Sequence, residues 1–259
     1  MVFQPAFAPG LEVGGTRFFH VLQDRFSLDR NELLRPFGAL TEFARAQQTG
    51  TGSGVEPDNQ LSSVFARYVL PRSGVEFYGE YGREDRSLDM RDFWLMPDHD
   101  AAYLVGMRKT WTRVRSLLSF RAEILNSRIT HLALSSNQAP WYVHTSAIQG
   151  HTNRGQALGS YAAYGGGGSL LELERYDGRG RWQLRWERIQ LGQQRVPAPD
   201  LFLGDVAHSF GASVLRFGRR ADVDLGVAAV YEINRHFVAD AFNLHTTVSI
   251  RPPSRRSRT

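Results

Sequence analysis

Segments of about ten residues in which every second side chain is apolar recur along most of this chain. The clearest spans residues 222–234. Its apolar side carries Val223, Leu225, Val227, Ala229, Tyr231 and Ile233, and its polar side carries Asp222, Asp224, Glu232 and Asn234. Because successive side chains of a β-strand point to opposite faces, this period predicts strands whose two faces meet different surroundings.

Four further segments alternate as clearly, namely residues 75–84, 113–125, 181–191 and 238–251. Weaker alternation marks residues 11–20, 61–71, 101–110, 141–148, 156–164, 169–176 and 206–217. Turn-forming residues such as Asp177 and Gly178 separate many of these segments. About a dozen strands joined mostly by short turns predict an all-β, antiparallel up-and-down sheet.

Two segments break this pattern. Residues 28–46 have helix-like spacing, although an internal Pro and Gly weaken it. Residues 49–59 are rich in Gly and Thr and predict a loop. No apolar run approaches the roughly 20 residues that a membrane-spanning helix needs, whereas a spanning β-strand needs only about 9 to 11 alternating residues.

The formal charge of +5 gives little support for nucleic-acid binding. Four of the basic residues, Arg251, Arg255, Arg256 and Arg258, lie at the C-terminal end, and without them the body is close to neutral, whereas a nucleic-acid binder concentrates positive charge on its folded surface. Nearly all basic residues are Arg, with Lys109 the only lysine. Arg can hold the carboxylates or phosphates of an acidic glycan or lipid bidentately, but a coding bias is the favoured explanation. With no cysteine, disulfides and thiolate metal sites are excluded.

Two details favour a lipid-facing barrel over a soluble β-sandwich. The polar sides of the segments carry large charged residues of both signs, as in a wet lumen. Aromatic residues lie near segment ends, as in interfacial girdles, although each could also be an ordinary core residue. They are Phe18, Phe19, Phe93, Trp94, Trp111, Trp141, Trp182, Phe217 and Phe237.

Four stretches carry a family resemblance. They are PDNQ at residues 57–60, GVEFYGEYGRED at 74–85, DMRDFWLMPDHDAAYLVGMRK at 89–109 and WYVHTSAIQGHTNRGQALGS at 141–160. In combination they resemble the Wzi family of capsule-assembly proteins. The resemblance implies a transmembrane β-barrel in the outer membrane of Gram-negative bacteria. It also implies capsular or other surface polysaccharide, outer-membrane lipid and the barrel insertion machinery as partners, with no cofactor, metal or enzymatic activity.

The chain departs from that family at both ends. Its start, MVFQPAFAPG, lacks the features of a secretory signal, and the family's first barrel strands have no counterpart before LEVGGTRFFH. We therefore expect the C-terminal portion of a larger barrel. Residues 1–251 are assigned to the barrel and residues 252–259 to a basic disordered tail, whose RPPSRRSRT replaces the aromatic end that often closes such barrels.

Two polar clusters are candidate polysaccharide contacts. The first includes Arg83, Glu84, Asp85, Arg91, Asp92, Asp98 and His99, where alternating acids and Arg could bind glycan hydroxyls and carboxylates or form a salt-bridged plug. We favour the plug, because balanced charges satisfy each other first. The second includes His144, His151, Asn153, Arg154 and Gln156, which suit sugar recognition and turn capping equally. A metal pair of His144 and His151 is disfavoured by their spacing.

The enzyme alternative is a barrel hydrolase, with His208 and Ser209 or His144 and Ser146 as nearby pairs. Neighbours on a strand point to opposite faces, so the first pair cannot meet, and the second lacks an orienting acid. We predict a non-enzymatic outer-membrane barrel that binds or anchors capsular polysaccharide. The alternative is a pore of the same architecture, and a third possibility is a soluble β-sandwich.

Overall fold

The computed structural model describes residues 1–21, 58–84, 94–95, 97–98, 101–128, 141–142, 151–154, 156–162, 165–191, 205–235 and 239–253. These ranges contain thirteen β-strands. They are β1 Val2–Phe3, β2 Leu11–Val21, β3 Asp58–Leu70, β4 Val75–Glu84, β5 Ala101–Arg113, β6 Ser116–Asn126, β7 Thr152–Asn153, β8 Gln156–Ala157, β9 Gly167–Asp177, β10 Gly180–Gln190, β11 Val206–Arg216, β12 Asp222–Arg235 and β13 Ala239–Arg251. No helix in these ranges is long and apolar enough to cross a membrane.

Eleven of the strands form one antiparallel sheet in the order β1-β2-β3-β4-β5-β6-β9-β10-β11-β12-β13. The short strands β7 and β8 pair only with each other and lie in the connection between β6 and β9. Each strand of the large sheet therefore pairs with its predecessor along the chain, apart from this one insertion. The predicted up-and-down antiparallel sheet is confirmed, and its end strands β1 and β13 do not close it.

Most predicted strands are confirmed, and β4 has the predicted limits. The prediction for residues 113–125 is wrong at its start, because β5 runs on to Arg113 and a turn precedes Ser116. The loop prediction is wrong for Asp58 and Asn59, which begin β3. Among the described residues 156–162 of the segment predicted at 156–164, only β8 is a strand, and Trp141 opens the segment at 141–148 in a turn. The predicted helix lies outside the described residues.

The register of the ladders separates the side chains into an apolar face and a polar face, because cross-strand partners share a face. Val227 on β12 pairs with Ala212 and Thr246, and its neighbours Leu225 and Tyr231 are on the same side. Side chains of this apolar face are largely uncovered: Phe210 is 61% exposed and Leu244 63%. On the opposite face Glu123 is 6% exposed and Asp222 7%. The predicted division is thus confirmed for residues 222–232, whereas a register shift lies between Glu232 and Arg235 and the φ angle of Asn234 is 55°.

Charged and polar side chains of the polar face pair with one another, both within a strand and between strands. The Arg67 Nε on β3 donates to Glu76 Oε1 on β4 at 2.7 Å, and its Nη1 lies 3.2 Å from Glu12 Oε2 on β2. On β6, Arg121 Nη2 lies 2.5 Å from Glu123 Oε2, which also accepts from the Tyr78 hydroxyl at 2.7 Å. These contacts involve four strands, β2, β3, β4 and β6, and satisfy charges that would be costly to leave alone.

The connections between strands differ at the two ends of the sheet. At one end, here called the short-turn end, consecutive strands are connected by residues 4–10, 71–74, 114–115, 178–179 and 217–221. At the other end, here called the long-loop end, the strands are connected by residues 22–57, 85–100, 127–166, 191–205 and 236–238. Four of these five are far longer than any connection at the short-turn end. Transmembrane barrels show the same asymmetry, with short turns on one side and long loops on the other.

A soluble sandwich requires a second sheet packed over the apolar face. Within the described ranges, the one other sheet is the two-stranded β7–β8 pair, whose flanking residues His151 and Leu158 line a cavity together with residues of the polar face. The described structure therefore gives the sandwich alternative no second layer.

The apolar face leads to a test at Val227, near the middle of β12. We expect Val227→Arg to cost roughly 2 to 4 kcal/mol of folding free energy in lipid vesicles, because the charge would be placed near the bilayer midplane. The matched control is Ala228→Arg, one residue along and on the polar face, which should cost far less. Equal costs for the two variants would contradict the assignment of the faces.

Candidate functional site

The polar face carries a cavity of about 410 Å³ at the long-loop end. Its floor consists of the ends of β2 to β6, including Phe18, Leu61, Glu80 and Leu125. Its wall consists of residues from the 127–166 connection, including Trp141, Tyr142, His151 and Ser160. The site therefore forms where this connection folds back over the sheet.

Hydrogen bonds close the base of the 127–166 connection. The backbone N–H of Ser127 donates to the Gly166 carbonyl at 2.9 Å, and the Ser127 hydroxyl donates to the same oxygen at 2.9 Å. Next to this, Arg128 Nη1 donates to Gln190 Oε1 on β10 at 3.1 Å. The two ends of the connection are thus held together at the long-loop end of the sheet.

Tyr142 holds the wall of the cavity together. Its carbonyl accepts the His151 N–H at 3.1 Å, and its hydroxyl accepts the Ser160 N–H at 3.3 Å. Its φ angle is 70°, in the left-handed region that bulky residues rarely adopt and that costs on the order of 1–3 kcal/mol. Such a conformation persists only where several contacts determine it together, as these do.

Aromatic rings line this wall and meet one another. The rings of Phe18 and His151 have centroids 4.7 Å apart, and those of Trp141 and Tyr142 are 5.7 Å apart in an edge-to-face arrangement. Tyr142 and His151 complete the set at 6.3 Å. The three centroid distances and the angles between the rings are typical of favourable aromatic pairs. The cavity thus presents a rigid aromatic surface.

Gly82 on β4 makes room for the Trp141 ring. A Cβ atom at this position would lie 2.9 Å from Trp141 Cη2 and 3.4 Å from the Ser62 carbonyl oxygen. Real side chains do not tolerate the first of these contacts, so a larger residue here would displace the indole. The glycine therefore allows Trp141 to pack directly on the sheet, where it is 5% exposed.

Several polar groups in the cavity lining remain available. Trp141 Nε1 and Ser160 Oγ are buried and have no hydrogen-bond partner within the described residues. Glu80 projects from β4 on the polar face and is exposed. Buried polar atoms are usually satisfied by protein or water, so these groups indicate a site that receives a polar molecule.

The structure brings only part of the predicted second cluster to this cavity. His151 lines it and is 3% exposed. Asn153 and Arg154 are exposed at the end of β7 and the following turn, and Gln156 begins β8. His144 lies outside the described residues.

The first predicted cluster is described at only three positions. Arg83 is buried on β4 and Glu84 ends that strand, while Asp98 is exposed in a turn. Asp85, Arg91, Asp92 and His99 lie outside the described residues. Among the residues that are described, no group of three or more His, Asp or Glu side chains could hold a metal ion.

The girdle interpretation is wrong for two aromatic residues. Trp141 lines the cavity and is buried, and Phe18 lies on the polar face, where its ring meets His151. The surroundings of both residues depend on how the 127–166 connection folds, and the period of the strands gives no information about that. The adjacent pair Trp141 and Tyr142 within a polar segment was the one available signal. Trp111 and Trp182 do lie on the apolar face, by the register of β5 and β10.

The first hydrolase pair is separated as predicted. The His208 ring stacks on Trp186 of the neighbouring strand at 6.1 Å, on the apolar face, whereas Ser209 points to the polar face. The second pair, His144 and Ser146, lies outside the described residues.

Beside the cavity wall, the Tyr161 ring packs over Gly168 of β9, where an added Cβ would lie 2.4 Å from Tyr161 Cε2. Partial burial of the ring, which is 40% exposed, raises the pKa of the Tyr161 phenol to about 12, and the charges of Glu123 and Glu187 add to the rise. The neutral phenol is therefore favoured in the folded protein.

This pKa yields a test by titration. Because the folded value lies above the ordinary 10.0, the stability contributed by the neutral ring is full below pH 10 and is lost as the pH rises through about 12. The ultraviolet titration of the wild type minus that of Tyr161→Phe should show one phenol ionising near 12. A difference curve centred near 10 would mean that the ring is solvated.

No protein-family model matches the chain, and no functionally described protein sequence does so either. A search of solved structures finds similarity to Wzi, described as an outer-membrane protein involved in group 1 capsule assembly in Escherichia coli and as a carbohydrate-binding β-barrel. The TM-score is 0.61 at 16% sequence identity, over 97% of this chain and 50% of that one. The chain thus spans half the length of the structure it matches. This likeness shows that the chain has the fold of one half of an outer-membrane β-barrel.

Proposed function

We propose that this chain is part of a bacterial outer-membrane β-barrel that binds surface polysaccharide and takes part in capsule assembly. The observation that carries the proposal is the aromatic cavity at the long-loop end of a sheet with an uncovered apolar face. The apolar face supports the membrane part of the proposal, and the cavity supports the polysaccharide part.

The apolar face supports the membrane location. Large apolar side chains are exposed on nearly every strand of the sheet, for example Val64, Val105, Ile124, Phe210 and Leu244. Soluble monomers rarely expose contiguous apolar patches beyond a few hundred Å², whereas a barrel in hydrocarbon requires such a surface. The charged side chains of the opposite face suit a wet lumen. Outer-membrane lipid is then the partner of the apolar face.

The cavity supports carbohydrate as the ligand. A sugar presents apolar C–H faces and a rim of hydroxyls that both donate and accept hydrogen bonds. The aromatic rings of Trp141, Tyr142 and Phe18 can cover the C–H faces, and the unpartnered Trp141 Nε1 and Ser160 Oγ can meet hydroxyls. The exposed Asn153 and Arg154 on the β7–β8 hairpin are proposed to extend the contact with a longer glycan.

The long-loop end is where a polysaccharide outside the cell would meet the protein. Outer-membrane barrels place their long loops on the extracellular side and their short turns in the periplasm. In this orientation the cavity opens toward the cell surface. We therefore propose binding and retention of glycan, not catalysis, as the role of the site.

A genetic test addresses the role directly. Disruption of the gene that encodes this chain should reduce the capsular polysaccharide retained on the cells and increase the amount shed into the medium. Restoring the gene with Trp141→Ala should fail to recover retention, because loss of a buried aromatic anchor commonly weakens binding by about 2 kcal/mol or more, roughly thirtyfold.

The matched control is Trp111→Ala, which removes the same type of side chain from the apolar face, outside the cavity. It should restore retention as the wild type does. Both variants should first be checked for insertion into the outer membrane by their electrophoretic mobility with and without heating. Normal capsule retention after gene disruption would refute the role, although the fold would stand.

A pore of the same architecture is the competing function, because charges of both signs line the polar face. Single-channel conductance in planar bilayers distinguishes the two. The capsule role predicts no steady conductance, since the 127–166 connection folds over the polar face. A stable open channel would favour the pore.

A further inference from the structure

We infer that the cavity accepts an uncharged sugar residue and discriminates against acidic sugars through the carboxylate of Glu80. The inference rests on the proposed carbohydrate role and names the class of sugar that the site takes. It concerns the cavity and not the remainder of the polar face.

Glu80 differs from the other carboxylates of the polar face. Glu76, two residues earlier on the same strand, lies 2.7 Å from Arg67, and Glu123 lies 2.5 Å from Arg121. Glu80 makes no hydrogen bond or ion pair with any described residue. Its cross-strand neighbours on the polar face are Phe65 and Leu104, neither of which can pair with a carboxylate. Its charge therefore remains available to a molecule in the cavity.

No described basic side chain offsets this charge. Among the described residues that line the cavity, Glu80 is the one Asp or Glu, and none is Arg or Lys. The imidazole of His151 also lines the cavity, and its ring contacts those of Phe18 and Tyr142. A ligand in this cavity thus meets a negative charge and aromatic faces.

The available polar groups match the hydroxyls of a sugar. Glu80 only accepts hydrogen bonds, Trp141 Nε1 only donates, and Ser160 Oγ does both. A hydroxyl group can satisfy each of them in turn, and a carboxylate on Glu80 binds a hydroxyl donor more strongly than a neutral acceptor would. The volume of about 410 Å³ is near the lower end of the roughly 300–1,000 Å³ of small-ligand pockets, which suits one or two sugar residues.

A uronic acid would meet repulsion in the same place. Two carboxylates at close range repel each other, and this repulsion is screened less at a protein surface than in bulk water. An acidic polysaccharide can still be held elsewhere on the protein, but its acidic residues would be disfavoured in the cavity. The neutral sugar residues of a glycan would then occupy the cavity, and their positions along the polymer would determine where it binds.

The test uses one polymer in two forms. Binding of the purified, detergent-solubilised chain is measured to immobilised polygalacturonate and to the same polymer after its carboxyl groups have been reduced to primary alcohols. Neutral dextran serves as a third probe. We expect the reduced polymer to bind about tenfold more tightly or better than its parent, as a repulsion of one charge pair near a protein surface would give.

The variant Glu80→Gln should bring the affinities of the two forms to within about twofold of each other, because it keeps the shape of the side chain and removes its charge. The matched control is Glu187→Gln on β10, which removes a carboxylate from the same face outside the cavity and should leave the preference intact. Equal or tighter binding of the acidic parent by the wild type, or an unchanged preference in Glu80→Gln, would overturn the inference while the carbohydrate role stands. Binding to none of the three polymers would overturn the carbohydrate role and the inference with it.

Discussion

The register of the antiparallel ladders is the constraint on which the structure depends. A shift of one residue between two strands would turn every side chain of one strand to the other face. In β12 such a slip would place Asp222 and Asp224 beside Val248 and Ile250, and would bring Val227 to the charged side. The separation of apolar and charged residues therefore gives this ladder a single favourable alignment. The paired charges of Glu12, Arg67 and Glu76 reinforce it, because they meet only in that alignment.

The strands and their faces could be predicted from the sequence because both are local. A period of two in side-chain polarity is visible within ten residues, and it located β4, β10 and β12 with errors of at most a residue or two. The turn at Val114 and Arg115 was not predicted, because the alternation of apolar and polar residues runs through it without a Gly or Pro.

The cavity could not be predicted from the sequence for a different reason. Its aromatic wall comes from residues far apart along the chain, and contacts such as Phe18 with His151 depend on how a long connection folds.

The polar face combines two kinds of surface. Over most of its area Arg and acidic side chains neutralise each other, as for Arg121 with Glu123 and Arg185 with Glu187, so little charge is left for a ligand. Among the described residues that line the cavity the balance is absent, since none of them is Arg or Lys. The candidate residues proposed from charge density alone missed Glu80, which lies three residues before the dense cluster that begins at Arg83. Within this face, an isolated acid beside aromatic rings is a more informative signal than a cluster of opposite charges.

The closed base of the 127–166 connection has a consequence for how such a protein can change over generations. Ser127 and Gly166 join its two ends, and Arg128 ties it to Gln190, so β6 and β9 pair in the same way whatever lies between them. Substitutions within the connection can therefore alter the cavity wall without disturbing the sheet. Under the proposed carbohydrate role, exchange of this one insert would change which sugar the cavity takes, while the sheet accumulates changes at its own pace. The insert would then be expected to diverge between strains faster than the strands that carry it.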